Sequence, residues 1–97
     1  MDYVIKQTET FAKWLLSIND LRAQLAVARR IERASAGNFG DIKSVGEGVS
    51  EMRIDMGAGY RVYFTVRQRK LVFLLAGGNK STQSIDIRKA IALAKEI

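Results

Sequence analysis

Isolated cations stand among apolar residues in the second half of the chain. Arg53 and Arg61 each occupy a polar position of a strand-like run, and Lys80 follows a Gly-Gly pair. Arginine presents a planar fork of N–H donors that matches phosphate oxygens, and lysine adds a mobile positive charge. The three residues therefore predict a site that binds a phosphate and stabilises negative charge developing on it.

The same residues also have a purely structural interpretation. Arginine and lysine at the surface are usually solvated, and Asp55 is available to neutralise Arg61. Each cation taken alone is better explained in this way. The functional interpretation is favoured because three cations fall in one region of the chain without a matching set of carboxylates.

The composition removes most other catalytic chemistry. The 97 residues contain no cysteine and no histidine, which excludes disulfides, thiolate nucleophiles, histidine bases and ordinary zinc sites. No metal or organic cofactor is therefore expected. We find neither a secretory signal nor an apolar stretch long enough for a membrane span, so a cytoplasmic protein without a membrane partner is predicted.

The net charge of +6 is unevenly distributed. Residues 1–52 hold seven Lys/Arg and seven Asp/Glu, whereas residues 53–97 hold nine Lys/Arg and three acidic residues. A concentrated positive field attracts polyanions, of which nucleic acid is the commonest. Solubility, or attraction to an acidic protein, would explain the same charge, and the composition leaves these alternatives open.

Apolar periodicity predicts a single α+β domain over residues 1–97, in the order β-α-α-β-β-β-α. A short strand at residues 3–7 precedes two helices that form a hairpin. Thr8 is expected to cap the first helix, Asn19 or Asp20 to cap the second, and Gly37 to end it. The apolar face of the second helix is taken as Leu21, Leu25, Ala28 and Ile31.

The positions that could do chemistry fall on the strands that follow. Residues 37–48 contain four glycines and are expected to be a loop, after which the apolar period changes to two. An apolar central strand spans residues 71–76, and Ser81 or Thr82 is expected to cap a last helix. One polar sheet face then carries Arg53, Arg61, Tyr63 and Arg67.

The register of the first strand pair is not fixed by apolar alternation alone. One register places Arg53 opposite Arg61, and the other pairs Arg53 with Tyr63 and Asp55 with Arg61. Opposed side chains in an antiparallel pair point to the same side, so the first register sets like charges together. The second is preferred on charge grounds, and both leave Arg53, Arg61 and Tyr63 close together.

The segment around Lys80 only partly matches a nucleotide-binding P-loop. Asn79 precedes the lysine, and Leu74 stands where the first glycine of the pattern belongs. A mononucleotide site is therefore not favoured. Lys80 at a helix N-terminus, where N–H groups and the helix dipole favour anions, suits a single phosphate of a longer chain. Tyr63 is the aromatic candidate for stacking on a base.

Three linked motifs resemble the RelE/ParE toxin superfamily, in particular its Gp49-like or HigB-like addiction-module killer proteins. They are Gly40-Asp-Ile-Lys43-x-Val-Gly-x-Gly-Val-x-Glu51-x-Arg53, Gly59-Tyr-Arg61-Val-Tyr-Phe and Gly77-Gly-x-Lys80-Ser-Thr-Gln-x-x-Asp86-Ile. The resemblance covers nearly the whole chain. It implies an antiparallel sheet packed on a helical hairpin with a C-terminal helix.

The resemblance also implies an activity and partners. The chain is expected to be the toxin of a type II toxin–antitoxin module, controlled by an acidic antitoxin for which a helix-turn-helix protein is one candidate. RelE-type toxins enter the ribosome and cut mRNA without metal, through attack of the RNA 2′-hydroxyl on its own phosphate. The expected partners are therefore an antitoxin, the ribosome and mRNA.

Residue roles follow from the same resemblance. Arg61 matches the arginine that contacts the scissile phosphate, while Lys80 and Arg53 match further basic catalytic positions. The expected RNA-binding residues are Lys43, Tyr63, Arg67 and Ser81. Asp86 stands where such toxins carry a proton-transfer residue, and we consider it either a base or a carboxylate that stabilises the helix N-terminus.

Two alternatives to an mRNA endonuclease remain at this stage. The same fold without an acid–base pair is compatible with a ParE-like toxin that poisons DNA gyrase by protein contact. A degenerate module that binds only its antitoxin is the other alternative.

Overall fold

The apolar periods of the sequence correspond to a short first strand, a helical hairpin, four further strands and a last helix. The computed structural model describes residues 2–97. Its elements are β1 (Val4–Gln7), α1 (Glu9–Ser17), α2 (Leu21–Ser35), β2 (Ile42–Gly46), β3 (Val49–Ile54), β4 (Tyr60–Arg67), β5 (Leu71–Asn79), a 3₁₀ turn (Lys80–Thr82) and α3 (Gln83–Ala94).

The predicted helix signals are confirmed. The Thr8 side chain accepts a hydrogen bond from the backbone N–H of Phe11, and Asp20 accepts one from the N–H of Arg22. Each bond satisfies an N–H that has no partner inside its helix. Gly37 follows the end of α2 with φ 94°, the left-handed conformation that glycine adopts without steric cost.

The sheet has the strand order β1-β5-β4-β3-β2. All neighbouring strands are antiparallel except β1, which pairs with β5 in parallel. The expectation of a loop across residues 37–48 is wrong for its second half, which forms β2. This edge strand is mostly exposed and has no clear apolar alternation, so the pattern that reveals a half-buried strand is missing from it.

The helices cover both faces of the sheet. The hairpin packs on the face that carries Met52, Val62 and Phe64, while α3 packs on the opposite face over Tyr63 and Leu75. The side of α3 that faces the sheet carries Ala90 and Ala94, which are buried, and Ile87 and Ile91, which are partly buried. α3 therefore covers much of the polar sheet face inferred from alternation. That face is exposed only at the end of the sheet that lies beyond the first turn of α3.

The predicted apolar face of α2 is wrong at three of its four positions, whereas Ile31 packs against the core as expected. Leu21 and Leu25 are 65% and 48% exposed, and Ala28 is also exposed. The buried positions are instead Ala23, Val27 and Ala34. Two stripes of helical period lie side by side on this helix, and the stripe with smaller side chains packs against the sheet. Periodicity identified the helix but could not choose between the stripes.

The preferred register of β3 and β4 is also wrong, because Arg53 lies directly opposite Arg61. The like-charge pairing is tolerated because each arginine has its own carboxylate, as the site geometry below shows. The same register places Glu51 opposite Tyr63.

The Gly-Gly pair belongs to β5, where it permits close packing on both faces of the sheet. A Cβ added at Gly77 would lie 2.1 Å from the ring of Trp14 in α1. A Cβ added at Gly78 would lie 1.7 Å from a carboxylate oxygen of Asp86 in α3. The glycines are therefore needed for helix packing and do not form a phosphate-binding loop.

None of the helices within residues 2–97 is both long enough and apolar enough to cross a membrane.

Candidate functional site

A cleft of about 480 Å³ opens where the turn between β3 and β4 meets the end of β5. Arg53, Arg61 and Lys80 all line it, together with Asp41 and Asp55. The glycine turn at residues 57–59 forms the remaining wall. The structure thus brings together the three cations that the sequence singled out, from β3, β4 and the turn after β5.

Arg61 is held rigidly at the base of this cleft. Its Nη1 donates to the backbone oxygens of Gly59 and Tyr60 at 3.3 and 3.2 Å. Its Nε lies 3.7 Å from Oε1 of Glu51, and its side chain is only 13% exposed. A guanidinium fixed in this way presents its remaining N–H groups with little conformational entropy left to lose.

The partner of Arg61 is the buried carboxylate of Glu51, which sequence analysis did not single out. Glu51 is 1% exposed and accepts hydrogen bonds from the Tyr63 hydroxyl at 3.2 Å and from Nε2 of Gln83 at 2.7 Å. Burial, and then the negative charge of Glu51, raises the pKa of the Tyr63 hydroxyl. The sequence signal for Glu51 was an acidic residue two positions before Arg53, on the same face of the predicted strand.

Arg53 is paired with Asp41 on the turn before β2. Nη2 of Arg53 donates to Oδ1 of Asp41 at 2.7 Å. This hydrogen bond lowers the pKa of the Asp41 carboxyl and raises the pKa of the Arg53 guanidinium. The expectation of cations without matching carboxylates is therefore wrong for both arginines, and the expected pair of Asp55 with Arg61 is replaced by Glu51 with Arg61.

Lys80 differs from the two arginines because no ion pair engages it within residues 2–97. It is exposed, and a Cβ at Gly59 would lie 3.4 Å from the Cβ of Lys80. Gly59 has φ 75°, so a side chain there would be strained as well as crowded. The turn glycine therefore allows Lys80 to approach Arg61 along one wall of the cleft.

The backbone beside Lys80 is already capped. Asn79 Oδ1 accepts from the N–H of Ser81 at 2.9 Å and from its hydroxyl at 2.6 Å. Thr82 occupies the predicted N-cap position of α3, but its hydroxyl donates to Asp86 and makes no cap bond to the helix. Anion binding at this turn therefore depends on the lysine side chain more than on free N–H groups.

The structure places the other predicted site residues outside the cleft. Tyr63 is fully buried beneath α3, so the expectation that its ring stacks on a base is wrong. Arg67 lies at the far end of β4 and donates to the backbone oxygens of Ala94 and Ile97 at 2.7 and 3.0 Å. It closes the C-terminal end of α3 and is not free for RNA.

Lys43, Ser81 and Asp86 also lie apart from the cleft lining. Lys43 is exposed on the edge strand β2, opposite Glu51 in register. Ser81 is exposed and bonded to Asn79. Asp86 is 6% exposed and packs over Gly78 in the first turn of α3. This position fits a carboxylate that stabilises the helix N-terminus.

Comparison with known sequences gives one family and one relative of similar length. Residues 13–97 match the family model described as phage-derived protein Gp49-like. An uncharacterized protein of Haemophilus influenzae is 52% identical over 97 residues, which covers 100% of this chain and 98% of that protein.

Comparison with solved structures establishes the fold that the motifs predicted. A mutant of the Escherichia coli toxin RelE in the free state superposes with a TM-score of 0.73 at 17% identity, covering 100% of this chain and 99% of that one. The RelBE2 toxin–antitoxin complex of Mycobacterium tuberculosis gives 0.66 at 19% identity, over 82% and 100% of the two chains. The intact E. coli RelBE toxin–antitoxin complex gives 0.61 at 18% identity, over 79% and 95%.

Proposed function

Since this chain belongs to the phage-derived Gp49-like family and has the RelE fold, we propose that it is the toxin of a toxin–antitoxin module and cleaves mRNA on the ribosome. The observation that carries the proposal is the convergence of Arg53, Arg61 and Lys80 on one cleft. These side chains come from three separate strands and turns, and all three recognise phosphate.

The cleft supports cleavage in which the RNA supplies its own nucleophile. The 2′-oxygen forms a bond to the adjacent phosphorus and loses its proton, while the bond from phosphorus to the 5′-oxygen breaks. The products are a 2′,3′-cyclic phosphate and a 5′-hydroxyl, with one proton delivered to the leaving oxygen. No water or metal enters this balance.

Each cation has a distinct part in this scheme. The rigid Arg61 stabilises the negative charge that grows on the phosphate oxygens, because its position is set before the RNA arrives. Arg53, held by Asp41, fixes the strand in line for attack. The exposed Lys80, which no ion pair engages within residues 2–97, delivers the proton to the 5′-oxygen, because its side chain lines the cleft as a donor without a fixed partner.

The proposed partners are an antitoxin and the ribosome. Two of the similar solved structures are toxin–antitoxin complexes, which supports an antitoxin as the regulator of this chain as well. With a net charge of +6, the toxin favours an acidic antitoxin.

Expression in growing bacteria without antitoxin tests the proposal directly. We expect growth arrest and new mRNA 5′ ends within ribosome-bound messages. Arg61→Ala should lower the cleavage rate by on the order of 10²-fold, the usual cost of removing one preorganised donor to a developing oxyanion. Arg69→Ala, an equal charge change at the exposed turn between β4 and β5, is the matched control and should leave the rate unchanged.

The outcome that would contradict the proposal is a wild-type message pattern identical to that of Arg61→Ala. Growth arrest without cleavage would favour a ParE-like gyrase poison. That alternative is supported by the position of Asp86, which packs over Gly78 away from the cleft and leaves the cleft without an obvious acid–base pair. A supercoiling assay with purified protein tests this alternative, because a gyrase poison should inhibit supercoiling by DNA gyrase. Normal growth would indicate a chain that binds only its antitoxin.

A further inference from the structure

A second, smaller cleft of about 230 Å³ lies beside the first, between α2 and the end of β3. Three arginines of α2 line it, namely Arg29, Arg30 and Arg33. Asp55 lines both clefts, so the two are neighbours separated by one side chain. The α2 arginines are therefore continuous with the proposed catalytic surface.

The charges of the two clefts differ. In the first, three cations face Asp41 and Asp55, and the buried Glu51 stands behind Arg61, so little net charge remains. In the second, three arginines face only the shared Asp55. The electrostatic attraction for a polyanion is thus stronger beside the proposed reaction centre than within it.

The three arginines of the second cleft do not have the same task. Arg30 is structural, because Nη1 donates to the backbone oxygen of Arg53 at 2.6 Å and Nη2 to that of Phe39 at 3.1 Å. Arg29 and Arg33 are exposed, and no side-chain hydrogen bond or ion pair engages either of them within residues 2–97. Their separation of four places both guanidinium groups on the same side of α2.

We infer that Arg29 and Arg33 bind the phosphates of single-stranded RNA next to the one held in the first cleft. The inference rests on the proposed function. It extends the proposed RNA-binding surface from the first cleft, past Asp55, to α2. The two clefts adjoin across Asp55, so an extended single strand can contact both. The exposed Met56 at the rim offers an apolar contact for a ribose or base.

Fluorescence anisotropy with a labelled oligoribonucleotide tests this inference. A 2′-O-methyl probe is used because it cannot be cut by its own 2′-oxygen, so binding is measured whether or not the protein is a nuclease. We expect the double variant Arg29→Gln/Arg33→Gln to bind an eight-nucleotide probe at least tenfold more weakly at low salt. The slope of log affinity against log salt should fall by about 1.4, since each phosphate contact to a single strand contributes about 0.7.

The matched control is Arg22→Gln/Lys89→Gln, which removes the same charge from two exposed positions outside both clefts. It should lower the salt slope by much less than the α2 pair. A three-nucleotide probe, too short to span both clefts, should bind the wild type more weakly than the eight-nucleotide probe does. Asp55→Asn should tighten binding of the longer probe, because a carboxylate between the two phosphate positions is removed.

Equal losses in the two double variants would overturn the inference, because the arginines would then contribute only to the general field. Unchanged RNA binding with lost antitoxin binding would also overturn it and assign the second cleft to an acidic protein. A failure of cleavage in cells, with the binding results as expected, would contradict the nuclease proposal and leave this contact standing.

Discussion

At the scale of single residues, the buried carboxylate of Glu51 organises the candidate site. It lies within 3.7 Å of Arg61 and is held from behind by Tyr63 and Gln83. A buried charge is tolerated only when it is paired and hydrogen-bonded, and these three partners meet that condition. The position of Arg61 therefore depends on side chains that never contact substrate.

Tyr63 makes this network sensitive to alkaline pH. Because the pKa of its hydroxyl is raised in the folded state, the folded protein keeps a proton that the unfolded chain loses above about pH 10. Below pH 10, Tyr63 should therefore add no pH dependence to the free energy of unfolding. Above it the free energy should fall by about 1.4 kcal/mol per pH unit.

Urea unfolding at several pH values measures this effect. Tyr63→Phe should be less stable near neutral pH by about 1 kcal/mol, because Glu51 loses a buried donor. The same variant should show a flatter decline above pH 10. If the free energy of unfolding declined equally above pH 10 in the wild type and in Tyr63→Phe, the decline could not be assigned to the Tyr63 hydroxyl.

Residue types in the sequence identified part of this site. Arg53, Arg61 and Lys80 could be predicted as candidates, because arginine and lysine are residue types suited to phosphate, and all three line one cleft. Tyr63 and Arg67 could not be assigned correctly, because their environment depends on where α3 packs. Asp41 and Glu51 were missed since their roles arise from pairing across strands and turns.

At the scale of elements, the Gly77-Gly78 pair sets the distance of two helices from the sheet. Trp14 of α1 lies against one glycine, and Asp86 of α3 lies against the other. The pair lies near the end of β5, where Gly78 is two residues before Lys80 and opposite Arg61 in register. Helix packing and cleft geometry are thus linked through a single strand end.

Gly77→Ala should destabilise the protein by on the order of 1–3 kcal/mol, the usual cost of overpacking a filled space. The physical reason is the 2.1 Å approach of the added Cβ to the Trp14 ring. Thermal or urea unfolding measures the change, and Trp14→Ala provides the matched background. The glycine substitution should cost much less there, and an equal cost in both backgrounds would exclude the steric explanation.

Sequence patterns identified most elements but not their contacts. The caps at Thr8 and Asp20 were predictable because capping uses local hydrogen bonds. The buried face of α2 was not, since two stripes of equal period compete and only the sheet decides between them. The register of β3 and β4 was misjudged because the opposition of Arg53 and Arg61 is relieved by carboxylates from other positions.

At the scale of the whole molecule, charge should control how fast partners are found. The excess of Lys/Arg lies in residues 53–97, which include all three cleft cations and all of α3. Complementary charge accelerates encounter and is screened by salt.

Stopped-flow association of this protein with the proposed antitoxin tests this expectation. The association rate should fall by about tenfold or more as salt is raised from low to above-physiological concentration, with a smaller change in the dissociation rate. An association rate independent of salt would show that the positive field does not guide this partner.

The outermost strands have a consequence for how the protein behaves when no partner covers it. The sheet ends in β1 and β2, which have only four and five residues. Each carries one lysine, Lys6 or Lys43, and the pairing of β2 is interrupted by an irregularity between Ser44 and Gly46. Short, charged and irregular edges resist addition of a further strand. The folded protein is therefore expected to resist edge-to-edge association when no partner covers it.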